Sequence, residues 1–292
     1  MFAARSCKPD LSEGMLNFAN SKINLGLHIT AKRPDGYHDL ETVFYPVGIC
    51  DVVELTDLPG KAATAGRDER QNQFRVFRTA IPGVLDDNIC LKAFSILQKD
   101  FKLPAQEISL LKNIPVGAGL GGGSADAAFI VRLANEKFKL GLSTSQMEDY
   151  VRPLGADCAF FIRNRPVYAE GKGDVFSPVA LDLSAWYLVL LKPEIHVSTA
   201  EAYGGVKPLK PAVPLKEVIA QPVTEWREHL KNDFEVSVFA RYPEIAQLKA
   251  SLYEAGAVYA AMSGSGSSVF GIFRTPVILP ELARKCELFY GV

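Results

Sequence analysis

The sequence predicts an α+β fold in two parts. Three features point there: an alternating stretch, SKINLGLHIT, that turns back on itself through a proline-glycine turn; a glycine-dense loop running straight into a helical pattern; and a C-terminal strand-loop-strand unit around SGSGSS. Hairpins and helices are mixed rather than strictly alternating, which argues against a continuous βαβ series. With 292 residues and 48% hydrophobic content, the chain is long enough for one large domain or two ordinary ones.

Composition excludes several classes of function. The 32 basic and 33 acidic residues nearly cancel, so no global field draws the chain to nucleic acid or an anionic membrane, and an anionic ligand has to be held locally. No apolar run is long enough for a membrane helix and no secretory leader is visible, so the cytoplasm is the expected compartment. Five cysteines (Cys7, Cys50, Cys90, Cys158 and Cys286) are odd in number and lack CxxC spacing, and only four histidines are scattered along the chain. Neither a disulfide framework nor a zinc site is expected.

Residues 1–14, MFAARSCKPDLSEG, show no periodicity and read as a tail before Met15. From Ser21, Ile23, Leu25, Leu27 and Ile29 fall on one face and Lys22, Asn24, Gly26 and His28 on the other, which predicts a half-buried strand. Arg33-Pro34-Asp35-Gly36 suits a type I turn, and a second strand over Glu41 to Val47 completes a hairpin. Residues 58–73 are polar and glycine-punctuated, as a loop is, and Asn88 to Lys99 reads as a helix. Ala127, Ile130, Val131, Ala134 and Phe138 recur at helical spacing, with Ser124 placed to cap the first turn. A helix over Ser145 to Arg152 leads to LGADCAFFI, and residues 166–192 are strand-rich. Pro208, Pro211, Pro214 and Pro222 mark an irregular connection before helices near Trp226 to Ala240 and Glu244 to Ala255. Strands over Val258 to Met262 and Val269 to Phe273 flank the glycine-serine loop.

The segment IPVGAGLGGGSADAAFIV, residues 114–131, carries the chemistry: Gly117, Gly119, Gly121, Gly122 and Gly123 precede a helix. Free backbone N-H groups and the positive end of a helix dipole suit phosphate. No GK[ST] closes the run, so it is not a P-loop. Gly117, Gly119 and Gly122 match GxGxxG literally, but the strand with an acidic end that a dinucleotide site needs does not follow. A packing loop that lets a helix approach a sheet stays open as an alternative.

PVGAGLGGGSADAA, from Pro115, closely resembles the nucleotide loop of the GHMP kinases, the family of galactokinase, homoserine kinase, mevalonate kinase and phosphomevalonate kinase. SKINLGLHITAKRPDGYHDLETVF at 21–44 resembles that family's N-terminal motif, and AAMSGSGSSVFGIF at 260–273 its C-terminal glycine motif. RPDGYHDL, GAD at 155–157, AEGKGD at 169–174 and NDFE at 232–235 resemble the branch acting on 4-diphosphocytidyl-2-C-methyl-D-erythritol. The resemblance implies a two-domain fold: a nucleotide-binding part over 15–165, similar to ribosomal protein S5 domain 2, and a ferredoxin-like substrate-binding part over 166–292. It implies ATP, with Mg²⁺, phosphorylating the 2-hydroxyl of that CDP-linked alcohol, and no nucleic-acid or membrane partner. Lys22 is implied at the transferring phosphate and Asp157 as acceptor of the hydroxyl proton. Pro115, Gly117, Gly119, Leu120, Gly121, Gly122, Gly123 and Ser124 are implied around the nucleotide. Asn24, Tyr37, His38, Tyr203, Gly264, Ser265 and Gly266 are implied around the acceptor, with the rings of Tyr37 and Tyr203 sandwiching the cytosine. No metal-binding carboxylate is implied. GADCAFF has Ala159 where the family usually has proline, and ANSK has Asn20-Ser21 where it usually has alanine-proline; neither change removes a charged group. Another GHMP kinase, or a nucleotide-binding module without turnover, are the rival readings.

Overall fold

The computed structural model describes residues 14–58, 71–81, 83 and 87–292, so most of the tail and most of the 58–73 stretch lie outside the described residues. β1 (Gly14–Lys32) and β2 (His38–Asp57) form the predicted hairpin, paired antiparallel along their length. Its turn is closed by Gly36 N donating to Arg33 O at 3.2 Å, with Gly36 at φ 85° where a side chain would be strained. β2 pairs on its other edge with β4 (Gln106–Lys112) and β5 (Val167–Glu170); β3 (Gln73–Arg78) and β6 (Val175–Pro178) extend the sheet at its two ends. By sheet membership, residues 167–178 therefore go with the first part, past the expected boundary at 165.

Helices α1 (Ile89–Phe101), α2 (Gly122–Lys137), α3 (Thr144–Val151) and α4 (Cys158–Arg163) bury their apolar sides with Val53, Leu55, Ile108 and Leu110 of this sheet. The second sheet is antiparallel, in the order β10 (Cys286–Tyr290), β7 (Tyr187–Pro193), β9 (Val269–Phe273), β8 (Tyr259–Met262). Alternation along β7 welds the two parts together. Leu188 and Leu190 point into a core shared with Ile23, Leu25 and Val43 of the first sheet. Val189 and Leu191 point the other way, to α8 (Phe234–Arg241) and α9 (Pro243–Glu254). Short helices α5 (Thr199–Gly204), α6 (Leu215–Ile219) and α7 (Trp226–His229) occupy the proline-marked connection.

Three local expectations fail, each for a tertiary reason. The helix expected over Trp226 to Ala240 is broken into α7 and α8, because the stretch between them bonds to β1: Leu27 N donates to Lys231 O and Asp233 N to Leu27 O, both at 2.8 Å. β1 is not half-buried: every residue from Ser21 to Ile29 is buried, because the polar face is roofed by the glycine loop and the β8-β9 loop. Ser124 is not the cap of α2. Gly122 and Gly123 are already helical, Gly121 is the cap at φ 70°, and Ser124 is left in the first turn near Gly155.

Candidate active site

β1 carries Lys22 and Asn24 between two loops. Lys22 N donates to Leu120 O at 3.0 Å, Asn24 N to Ser263 Oγ at 3.3 Å, and Ser263 Oγ to Gly119 O at 2.9 Å. The glycine loop and the SGSGSS loop thus meet over the strand. Asn232 holds the second loop from below by donating to Met262 O and Gly264 O, both at 2.8 Å, while Glu235 accepts from Met262 N at 2.8 Å. This is what NDFE does in the fold.

Lys22 is only 4% exposed. Its ammonium donates to Asn24 Oδ1 at 2.6 Å and Gly119 O at 3.3 Å, sits 5.0 Å from the Phe44 ring centre, and stands 3.5 Å from Asp157 Oδ2. Burial pulls its pKa below the ordinary 10.5, and the Asp157 charge pushes back only in part. Asp157, at the start of α4, makes no side-chain bond to that helix, so its carboxylate is free to face the cleft.

Two cavities meet at the glycine loop beside these residues. One, about 360 Å³, is lined by Pro115, by every residue from Gly117 to Ser124, and by Asn88, Lys112 and Asp126. The other, about 560 Å³, is lined by Lys22, Asn24, Asp157, Tyr203, Gly264 and Ser265. Gly117, Gly119 and Gly121 line both.

The glycines divide by what a Cβ would meet. At Gly119 it would stand 2.0 Å from Ser263 O, at Gly117 2.8 Å from the His196 ring, and at Gly121 3.0 Å from Phe161; all three have positive φ. At Gly122 it would stand 2.9 Å from Ile114 and 3.0 Å from Lys112 Nζ, but at Gly123 it would meet nothing. Close packing therefore requires four of these glycines, and only Gly123 opens freely onto the cavity. A side chain at Gly121 would strain the fold before it reached a nucleotide.

The acceptor residues are brought together unevenly. His38 and Tyr203 stack at 4.8 Å with an interplanar angle of 24°, so the ring against Tyr203 is His38 rather than Tyr37. Tyr203 lines the cleft, whereas His38 and Tyr37 stand outside its lining; Tyr37 is 61% exposed and has the Lys172 ammonium 4.9 Å from its ring centre. Gly266 turns away, where a Cβ would stand 2.7 Å from Met262 Sδ.

Sequence reasoning missed Lys172 and His196 in the cleft and a buried triad below the loop. Lys112, 3% exposed, donates to Asp51 and, at 2.8 Å, to Asp126. Asp51 also accepts from Asn113 N at 2.5 Å and Ile114 N at 2.7 Å. Burial pushes the Asp126 carboxyl up to about 8, with Lys112 opposing and Asp51 adding. Burial lowers the Lys112 pKa, but the two carboxylates outweigh it and leave it above 10.5. A carboxylate inside the apolar run ICDVVEL was the one available signal.

Models of the GHMP kinases N terminal domain and the GHMP kinases C terminal match residues 88–165 and 215–290. A 4-diphosphocytidyl-2-C-methyl-D-erythritol kinase of Bacteroides thetaiotaomicron is 51% identical, covering 94% of this chain and 98% of its own. One of Parabacteroides distasonis is 48% identical over 95% and 99%. A crystal structure of 4-(cytidine 5'-diphospho)-2C-methyl-D-erythritol kinase superposes with a TM-score of 0.79 at 27% identity, covering 95% of this chain and 98% of that one. The mevalonate kinase of Methanococcus jannaschii, 11% identical with a TM-score of 0.68 over 97% and 98%, shares the fold.

Proposed function

The chain belongs to the GHMP kinases, in their 4-diphosphocytidyl-2-C-methyl-D-erythritol kinase branch, and from that membership we propose that it transfers the γ-phosphoryl group of ATP to the 2-hydroxyl of that CDP-linked alcohol. It is an ATP-dependent kinase with the two-domain GHMP fold, serving isoprenoid precursor biosynthesis in the cytoplasm. What carries this reading is the Lys22-Asp157 pair, 3.5 Å apart, in the larger cleft, with Lys22 bonded to the carbonyl of Gly119, which lines both cavities.

Nucleotide in the smaller cavity places its phosphates against the first turn of α2, where backbone N-H groups and the helix dipole receive them. The alcohol enters the larger cleft. Its hydroxyl oxygen attacks the γ-phosphorus in line, the bond to the ADP oxygen breaks, and the hydroxyl proton passes to the Asp157 carboxylate. Lys22, held by Asn24 and the Gly119 carbonyl, offers its charge to the phosphoryl oxygens as that charge spreads. His38 and Tyr203 form the aromatic platform for the cytosine, with Tyr37 at the rim beside Lys172. Among the described residues no cluster of three metal-ligating side chains occurs. Mg²⁺ would come with the nucleotide on phosphate oxygens and water, and the Ser124 hydroxyl, in the lining of the smaller cavity, would be the protein group to join it. Bound there, the ion neutralises phosphate charge.

ADP release with Mg-ATP and, separately, the CDP-linked alcohol, homoserine, mevalonate and galactose decides the acceptor. Turnover with the CDP-linked alcohol alone is expected; turnover confined to a sugar, mevalonate or homoserine overturns the assignment.

A further inference from the structure

We propose that His196 is a specificity residue that donates a hydrogen bond to the diphosphate arm of the acceptor; the inference rests on the acceptor assignment above. The alcohol end of that molecule belongs at Lys22 and Asp157 and its base at His38 and Tyr203, so its two phosphates must cross the cleft between them. Two lysines line that cleft. Lys22 belongs to the transferring phosphate, beside Asn24, the Gly119 carbonyl and Asp157, and Lys172 sits over the Tyr37 ring. His196 is exposed, lines the acceptor cleft, and is absent from the lining of the nucleotide cavity.

The fold fixes the residues on either side of this imidazole. It stands between the end of β7 and the start of α5; Ile195 O accepts from Ser267 Oγ at 2.5 Å, and Ser198 caps α5 by accepting from Glu201 N at 3.2 Å. Its ring lies flat enough on the glycine loop that a Cβ at Gly117 would stand 2.8 Å from both Cε1 and Nδ1. Gly117 itself faces both cavities, so the ring sits beside the seam where phosphoryl transfer occurs. An imidazole N-H there reaches phosphate oxygen on the acceptor side, and a hydrogen bond to a charged oxygen is among the stronger ones.

The test compares CDP with cytidine, which share the base and ribose and differ in the phosphates. By calorimetry, His196→Ala weakens CDP binding by about tenfold and leaves cytidine within about twofold. His196→Gln, which keeps a donor, restores most of the CDP affinity. In turnover, His196→Ala raises KM for the CDP-linked alcohol by a similar factor and leaves KM for ATP within about threefold. Equal losses for CDP and cytidine, an unchanged CDP affinity, or a loss that falls on ATP overturns the inference, the last assigning His196 to the nucleotide. Wild-type protein that binds neither CDP nor the alcohol overturns the acceptor assignment itself, whereas normal wild-type binding with an unaffected variant overturns the role of His196 alone.

Discussion

Lys22 and Lys112 stand against the same glycine loop, both buried, and are held in opposite ways. A Cβ at Gly121 would meet Lys22 Cε at 3.2 Å, and one at Gly122 would meet Lys112 Nζ at 3.0 Å. Lys112 has two carboxylates in hydrogen-bond contact, neither exposed, and is held above the ordinary lysine pKa. Lys22 has one carboxylate at 3.5 Å, 31% exposed, and falls below it. A charge fully compensated inside the protein holds structure together; a charge left short of a partner is available to a substrate.

Removing each ammonium separates these roles. Lys112→Met leaves Asp51 and Asp126 buried without their shared cation, so denaturant unfolding should show a loss of about 3–5 kcal/mol. Lys22→Met should keep or raise Tm while kcat falls on the order of 10² or more. Equal stability losses for the two variants would erase the distinction.

The loop between them divides likewise. Gly123→Val puts a side chain into the open cavity and should raise KM for ATP at least about tenfold with stability within about 1 kcal/mol. Gly121→Val, forced into a positive φ against Phe161, should instead lower Tm. A Gly123 variant with unchanged nucleotide affinity would favour a loop that only packs.

At the recognition end of the cleft, His38→Ala should raise KM for the CDP-linked alcohol about tenfold and leave KM for ATP within about threefold, since a stacked base contributes about 1–3 kcal/mol. A parallel loss of ATP affinity would place His38 outside the acceptor site.

The smallest effect is in pH. The folded pKa of Lys22 lies below its unfolded value, so its burial penalty is fully present below the folded pKa and is relieved as pH rises toward 10.5. Lys112 has the reverse sign: its stabilisation is fully present below 10.5 and is lost as pH rises through its higher folded pKa. Turnover should therefore decline as rising pH discharges Lys22, at a pH lower than the ordinary lysine value. Asp157→Asn, which removes what raises that pKa, should move the alkaline limb of the residual activity downward. An unmoved limb would detach it from Lys22.

Much of this was legible in the chain because it is local. The hairpin and the glycine loop before α2 rest on short patterns whose spacing carries the geometry, while Lys22, Asn24 and Asp157 are marked by the family resemblance alone. What stayed hidden depends on long-range contact. Asp51 and Lys112 are 61 positions apart, and nothing in the spacing of either predicts that they meet. The burial of Lys22 comes from loops around 119 and 263 closing over a strand that reads as half-exposed. Ser124 reads as a cap because glycine is a poor helix former, yet Gly122 and Gly123 are helical, and only at Gly122 would a Cβ press on Ile114. The stacking of His38 on Tyr203 likewise joins residues 165 positions apart, and no spacing predicts it.

Single-turnover transfer from ATP to the CDP-linked alcohol by Asp157→Asn, with both substrates saturating, tests the central claim most directly. The asparagine keeps the shape of the side chain and removes its charge and its capacity to accept the hydroxyl proton. If phosphoryl transfer takes place at the Lys22-Asp157 pair, the rate falls on the order of 10² or more while both substrates bind nearly as before. A wild-type rate would contradict the account and move the chemistry elsewhere.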